Sequence, residues 1–188
     1  DGDLRRFAEY SAALGLSERT LEHRANTLAM FSRWCVERSV MCSQQISRSL
    51  LEQYRRYLFH YRRSNDQPLS LATQKNHLSN LKQFFKWLAA HNYIAFDPAS
   101  SLQLPKQHRR LPRAILTPEE VVKVMQTADK GPNGLRDRAI LETLYATGIR
   151  RMELANLSLY DIDPEQRTLM VREGKGRKDR VIPMGKFA

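Results

Sequence analysis

Cysteine is scarce in this chain: 188 residues hold two, Cys35 and Cys42. A single Cys-x6-Cys pair with no companion Cys or His cluster does not make a zinc site. Both are expected to be free thiols, which suits a reducing, cytoplasmic compartment. Long apolar runs are missing as well. None approaches the roughly twenty residues that a membrane-spanning helix requires, and the opening Asp1-Gly2-Asp3-Leu4-Arg5-Arg6 lacks signal-peptide character. No internal repeat and no low-complexity tract is present. Acidic residues fall short of basic ones, 20 Asp and Glu against 31 Lys and Arg, so the formal net charge is +11. An excess of that size points to a polyanionic partner, nucleic acid first. The membrane-surface alternative needs a basic amphipathic helix standing alone, and none is found. Single-stranded RNA recognition leans on exposed aromatics beside basic patches, and the pattern offers few.

What is there describes a folded, mostly helical chain. Apolar residues make up 41%, and the length allows one large domain or two modest ones. Leu4–Leu14 reads as a short helix with Leu4, Phe7, Ala8 and Ala12 inward. A second helix is expected over Glu18–Arg38 with Ser17 as N-cap and Leu21, Ala25, Leu28 and Cys35 on one stripe. A third covers Ser49–Arg62 and carries Leu50, Leu51, Tyr54, Leu58 and Tyr61. The fourth, Leu71–Asn92 behind Ser70, carries Leu78, Leu81, Phe84, Phe85 and Leu88 on one face. Lys75, Asn76, Ser79, Lys82, Gln83 and Lys86 lie opposite, with no carboxylate among them. A solvated face normally mixes signs, whereas an acid-free face of this kind suits the phosphates and groove of a duplex.

From Asp97 the composition changes. The strip from Lys106 to Arg113, which includes Arg109 and Arg110, is basic and proline-containing and reads as a linker close to phosphates. Three segments are therefore expected: a helical DNA-binding domain over 1–104, a linker over 105–115, and a second domain over 116–188. The second opens with Thr117 as N-cap, Pro118 at the first helical position and two acids in the first turn. Helices over Leu135–Thr147 and Arg150–Leu157 meet at Gly148, placed where a helix stops in the left-handed conformation. Arg150 sits on that corner, with Glu153 one turn on able to pair with it or orient it; Met152, Leu154 and Leu157 face inward, and Tyr145 is expected in the core. After Pro164 the period becomes two. Thr168–Arg172 and Asp179–Pro183 read as strands of a β-hairpin whose tip, Glu173 to Lys178, is glycine-bearing and basic.

Read together, these stretches resemble the tyrosine recombinases, or phage-type integrases, most closely their Xer-like bacterial branch. Thr147-Gly148-Ile149-Arg150-Arg151-Met152-Glu153-Leu154 resembles the box that carries the family's first catalytic arginine. Gly174-Lys175-Gly176-Arg177-Lys178-Asp179-Arg180 resembles its Gly-Lys-Gly-x-Lys-x-Arg hairpin, and Leu116–Glu120 the start of its catalytic domain. Phe84-Phe85-Lys86-Trp87-Leu88 is similar to the last long helix of its core-binding domain. The resemblance implies a mainly α fold with a small β-hairpin: a four-helix, SAM-like core-binding domain and the first part of an α+β catalytic domain. It implies a reaction without metal or other cofactor, in which a tyrosine cuts one strand of double-stranded DNA and holds it as a 3′-phosphotyrosine. Arg150 would hold the nonbridging phosphate oxygens and Glu153 would orient it. Lys175 would be the general acid for the leaving 5′ oxygen, with Lys178 its competitor. The DNA-binding set would be Lys75, Asn76, Ser79, Lys82, Lys86, Arg109, Arg110 and Lys178. The family's His-x-x-Arg box and nucleophilic tyrosine follow the hairpin, and all seven tyrosines here precede it. The expectation is therefore a piece that grips DNA, does not cleave it and is monomeric, from a longer bacterial, nucleoid-associated parent that assembles as a tetramer. The competing expectation is a non-catalytic DNA-binding regulator on the same scaffold.

Overall fold

The computed structural model describes residues 2–106, 115–128, 130–174, 176 and 178–185. The chain divides into two compact units, Asp1–Arg110 and Leu111–Ala188. Most of the expected linker, residues 107–114, lies outside the described residues.

The first unit is built from α1 (Gly2–Ala13), α2 (Glu18–Val36), α3 (Arg48–His60) and α4 (Leu71–Ala90). Two serines begin helices as N-caps: Ser47 accepts from the Leu50 amide at 3.3 Å and Ser70 from that of Thr73 at 3.1 Å. Ser17 takes the extended N-cap conformation before α2 without capping the backbone; its hydroxyl lies 2.8 Å from that of Thr20 instead. α4 is the central element. It buries Leu78, Leu81, Phe84, Phe85, Trp87 and Leu88, together with Gln74, His77 and Asn80, against α1, α2 and α3. Each leucine fully buried here contributes about 2 kcal/mol relative to exposure.

The inward stripes of α1 and α2 differ from the expected ones. On α1 the buried residues are Phe7 and Ser11, while Ala8 and Ala12 are exposed. Ser11 is admitted because Arg24 Nη1 donates to its hydroxyl at 3.0 Å, and the same guanidinium also donates to Gln83 Oε1 on α4. On α2 the buried set is Thr27, Leu28, Phe31, Trp34 and Cys35, with Ala25 exposed and Leu21 half-buried. The large rings decided the helix rotation: Phe31 and Trp34 meet Tyr54 edge-on at 4.8 and 5.1 Å between centroids. An aromatic pair outweighs an alanine as a core contact. Cys35 is buried and Cys42 exposed, and both are free.

The second unit holds α5 (Pro118–Ala128), α6 (Gly134–Thr147), α7 (Arg151–Ala155) and a sheet. Thr117 begins α5 with reciprocal bonds: its hydroxyl accepts from the Glu120 amide at 3.3 Å, and the Glu120 carboxylate accepts from the Thr117 amide at 2.8 Å. The expected hairpin is present as β2 (Thr168–Gly174) and β3 (Lys178–Pro183), and a short β1 (Ile162–Asp163) adds a third antiparallel strand in the order β1-β2-β3. The short first strand follows a 3-10 turn at Leu159–Asp161 and is too brief to leave a periodic signal. Leu169 and Val171 of β2 pack with Ile149, and Leu144, Leu154, Leu157 and Ile182 close around them. Met152 and Tyr145, expected inward, are both exposed. α7 is a little over one turn, too short for a helical stripe to set which residues face in.

Candidate phosphate site and nucleic-acid interface

The site begins with Gly148. It ends α6 at φ 63°, in the left-handed region, with its amide donating to the Leu144 carbonyl at 2.9 Å. Ile149 then drops into the small core of the second unit, and Arg150 becomes the extended N-cap residue of α7. The Arg150 amide donates to Glu153 Oε2 at 2.9 Å, and its guanidinium Nη1 donates to Glu153 Oε1 at 2.7 Å. One carboxylate thus ties down both the backbone and the side chain of Arg150. The arginine side chain is still 59% exposed, whereas that of Glu153 is 7% exposed.

What covers Glu153 is Arg180, the last residue of the Gly174–Arg180 hairpin motif and one with no expected role. β2 and β3 pair Leu169 with Ile182 and Val171 with Arg180. Directly paired residues share one face of a sheet, and on that face Leu169 and Val171 are buried. Arg180 therefore sits at the end of an otherwise apolar row, on the strand pair that packs against α7. Its Nη1 donates to Glu153 Oε1 at 3.0 Å and its Nη2 to Oε2 at 2.7 Å, a two-pronged pair. The signal was the parity of Arg180 with Ile182: an arginine on an inward row calls for a carboxylate. The guanidinium of Arg180, the Arg150 amide and the Arg150 guanidinium hold the Glu153 carboxyl far below the usual carboxylate range.

Gly174 lies against this pair. A Cβ there would stand 2.8 Å from Arg180 Nη1, 3.0 Å from the Lys178 carbonyl oxygen and 3.1 Å from Glu153 Oε1. β2 also gains one residue relative to β3 between Val171 and Gly174, a bulge that carries Glu173 at φ 47°. The Glu173 amide donates to Asp179 Oδ1 at 2.8 Å, which closes the base of the hairpin tip. Lys178 is exposed and pairs with Gly174 across the strands. Lys175, the expected general acid, lies outside the described residues.

A second anchored carboxylate stands nearby in sequence. Asp161 accepts from the Ser158 amide and hydroxyl, each at 2.9 Å, and from Arg172 Nε at 2.6 Å. The Arg172 guanidinium first, then the Ser158 donors, hold its carboxyl down at about 2. This pair joins the turn before β1 to β2 and props the sheet that carries Arg180. Among the described residues, no group of three or more His, Cys, Asp or Glu stands together as a metal site.

In the first unit, Asn76, Gln83 and Lys86 are exposed along α4, and Lys75, Ser79 and Lys82 are half-buried beside them. Lys82 has partners of its own: its ammonium donates to the carbonyls of Ser100 and Leu102 at 3.0 and 3.1 Å. Arg109 and Arg110 lie outside the described residues.

Two family models match the chain, the phage integrase N-terminal SAM-like domain over residues 4–94 and the phage integrase family over 114–188. The chain belongs to the phage integrase family. Among curated relatives, tyrosine recombinase XerC 2 of Ralstonia nicotianae is 49% identical over 181 residues, 95% of this chain and 52% of that protein. Tyrosine recombinase XerC of Xylella fastidiosa is 34% identical over 182 residues, 97% of this chain and 59% of that protein. The chain thus spans little more than half the length of these relatives. In fold it resembles a lambda integrase (75-356) dimer bound to a COC′ core site, at a TM-score of 0.70 with 21% identity, covering 97% of this chain and 59% of that one. It also resembles the Tn1549 transposon integrase in complex with circular intermediate DNA, at a TM-score of 0.66 with 20% identity, covering 98% of this chain and 61% of that one. No helix among the described residues is long and apolar enough to cross a membrane.

Proposed function

We propose that this chain binds double-stranded DNA and supplies part of the phosphate site of a site-specific tyrosine recombinase. The observation that carries the reading is an exposed guanidinium, Arg150, anchored at backbone and side chain by a covered carboxylate. A planar, permanently charged fork held in that way suits the nonbridging oxygens of a phosphodiester, where charge builds up as a pentacoordinate phosphorane forms. Glu153 keeps the fork in place and does no chemistry. Lys175 donates the proton to the leaving 5′ oxygen, and Lys178, exposed in the same hairpin, is the alternative donor. The acid-free face of α4, with Lys75, Asn76, Ser79, Lys82 and Lys86, takes the duplex, and Arg109 and Arg110 add phosphate contacts. In the intact gene product the cut strand is held as a 3′-phosphotyrosine and rejoined within a tetramer. Residues 1–188 alone bind as a monomer and form no covalent adduct.

Two measurements test this. A 30-base-pair duplex is titrated with residues 1–188 at several salt concentrations; about 8 phosphate contacts give a logarithmic slope near −7. A slope shallower than about −3 rules out a set of phosphate contacts of that size. A pool of nicked duplexes with randomised sequence is then offered to the intact gene product, and covalently trapped DNA is sequenced. Recovery of one recurring site supports recombinase chemistry. Binding without trapping identifies a regulator that keeps the grip and lacks the reaction.

A further inference from the structure

We infer that Arg180 is a positioning residue of this site: acting through Glu153, it sets the attitude in which Arg150 receives a phosphodiester. The inference rests on the recombinase reading above. An i,i+3 pair on an exposed helix end is weak and leaves a long side chain free to swing. Glu153 is not in that situation. Its carboxylate takes four hydrogen bonds, two from Arg180 and two from Arg150, and is shielded from water. Arg180 comes from a different element, so its fork fixes the carboxylate relative to the sheet, and the carboxylate fixes Arg150 relative to both.

The charge arithmetic also fits. Two guanidinium groups and one carboxylate leave a single positive charge, the complement of one phosphodiester. Only one bond from the Arg150 guanidinium is spent on Glu153, and a guanidinium has five N–H donors. The rest can turn toward phosphate oxygens. Gly174 belongs to the same device, since any side chain there would press on Arg180 and Glu153 together.

The test uses the intact gene product and a nicked duplex carrying the site recovered by trapping. Arg180→Lys, Arg180→Gln, Glu153→Gln and the double variant Glu153→Gln/Arg180→Gln are compared for duplex Kd and for the trapping rate at saturating DNA. Arg180→Gln is expected to slow trapping by at least about tenfold while Kd stays within about threefold. In the Glu153→Gln background the same change adds less than about threefold, because the two residues act as one unit. Arg180→Lys keeps the charge and loses the fork, so it recovers part of the rate and not all of it. If Arg180→Gln does not fold, the lysine variant decides: a rate equal to wild type overturns the inference. Equal slowing in both backgrounds also overturns it, as does a loss confined to Kd. A wild-type protein that traps no DNA overturns the recombinase reading itself, a separate outcome.

Discussion

Two carboxylates in the second unit, Glu153 and Asp161, are each covered and each held by an arginine from the sheet. Such groups favour the folded state only while ionised. The Asp161 carboxyl is lowered from an ordinary value of 3.8 to about 2, so its contribution is present above 3.8 and is lost as the pH falls from there toward 2. Glu153 is held lower still in direction and adds to the same acid limb. Urea denaturation of residues 1–188 across this range should show the second unit weakening as acid is added. Asp161→Asn should be less stable at neutral pH and show a shallower acid limb, the remaining slope belonging to Glu153 and to Glu119, whose carboxyl is also lowered by hydrogen bonds at the start of α5. An unchanged limb would mean that Arg172 and Ser158 do not hold Asp161 in solution. These partners were hard to foresee. Arg150 and Glu153 were paired from their spacing, one helical turn apart, but Arg180 and Arg172 reach their carboxylates across elements. Local periodicity reports what one helix or strand buries and carries no distance between elements.

Helix α4 shows both sides of that limit. Its buried face followed from the 3.6-residue repeat, because a long helix with five large apolar residues on one side has a single way to face a core. Its polar face looked uniform in sequence and is not uniform in structure. Lys82 is bound to two carbonyls that follow the helix, while Lys86 is exposed. Lys82→Ala should therefore lower the stability of the first unit by about 1 kcal/mol. Lys86→Ala should leave stability within about 0.5 kcal/mol. In salt titrations of duplex binding, Lys75→Ala and Lys86→Ala should each reduce the slope by about one. Equal destabilisation by the Lys82 and Lys86 variants would remove the distinction. The rotation of α2 was missed for a related reason: the expected stripe weighed alanine and leucine alike, whereas Phe31 and Trp34 set the face once Tyr54 of α3 was beside them.

At the scale of the molecule, the two units are unequal in burial. The core of the first includes nineteen buried hydrophobic residues and that of the second three, among the described residues. No residue of α5, α6 or α7 is classed as buried. Hydrophobic stabilisation follows the apolar area removed from water, so residues 1–188 should unfold in two steps by calorimetry, the second unit first. A single transition would show that the units stabilise each other. The α5 sequence is amphipathic as a surface helix should be, and nothing in such a pattern reports how much of the apolar side finds a partner.

Both tryptophans, Trp34 and Trp87, lie in the first unit, and both are buried. Trp34 sits under the Arg38 guanidinium at 4.1 Å and Trp87 stacks at a tilt on Phe7 and Tyr93. Indole emission is therefore a built-in optical label for one half of the chain and is blind to the other. Circular dichroism at 222 nm, by contrast, sees the helices of both. A single sample followed by the two signals separates the light of the first unit from the dichroism of the whole, with no dye attached and no residue changed.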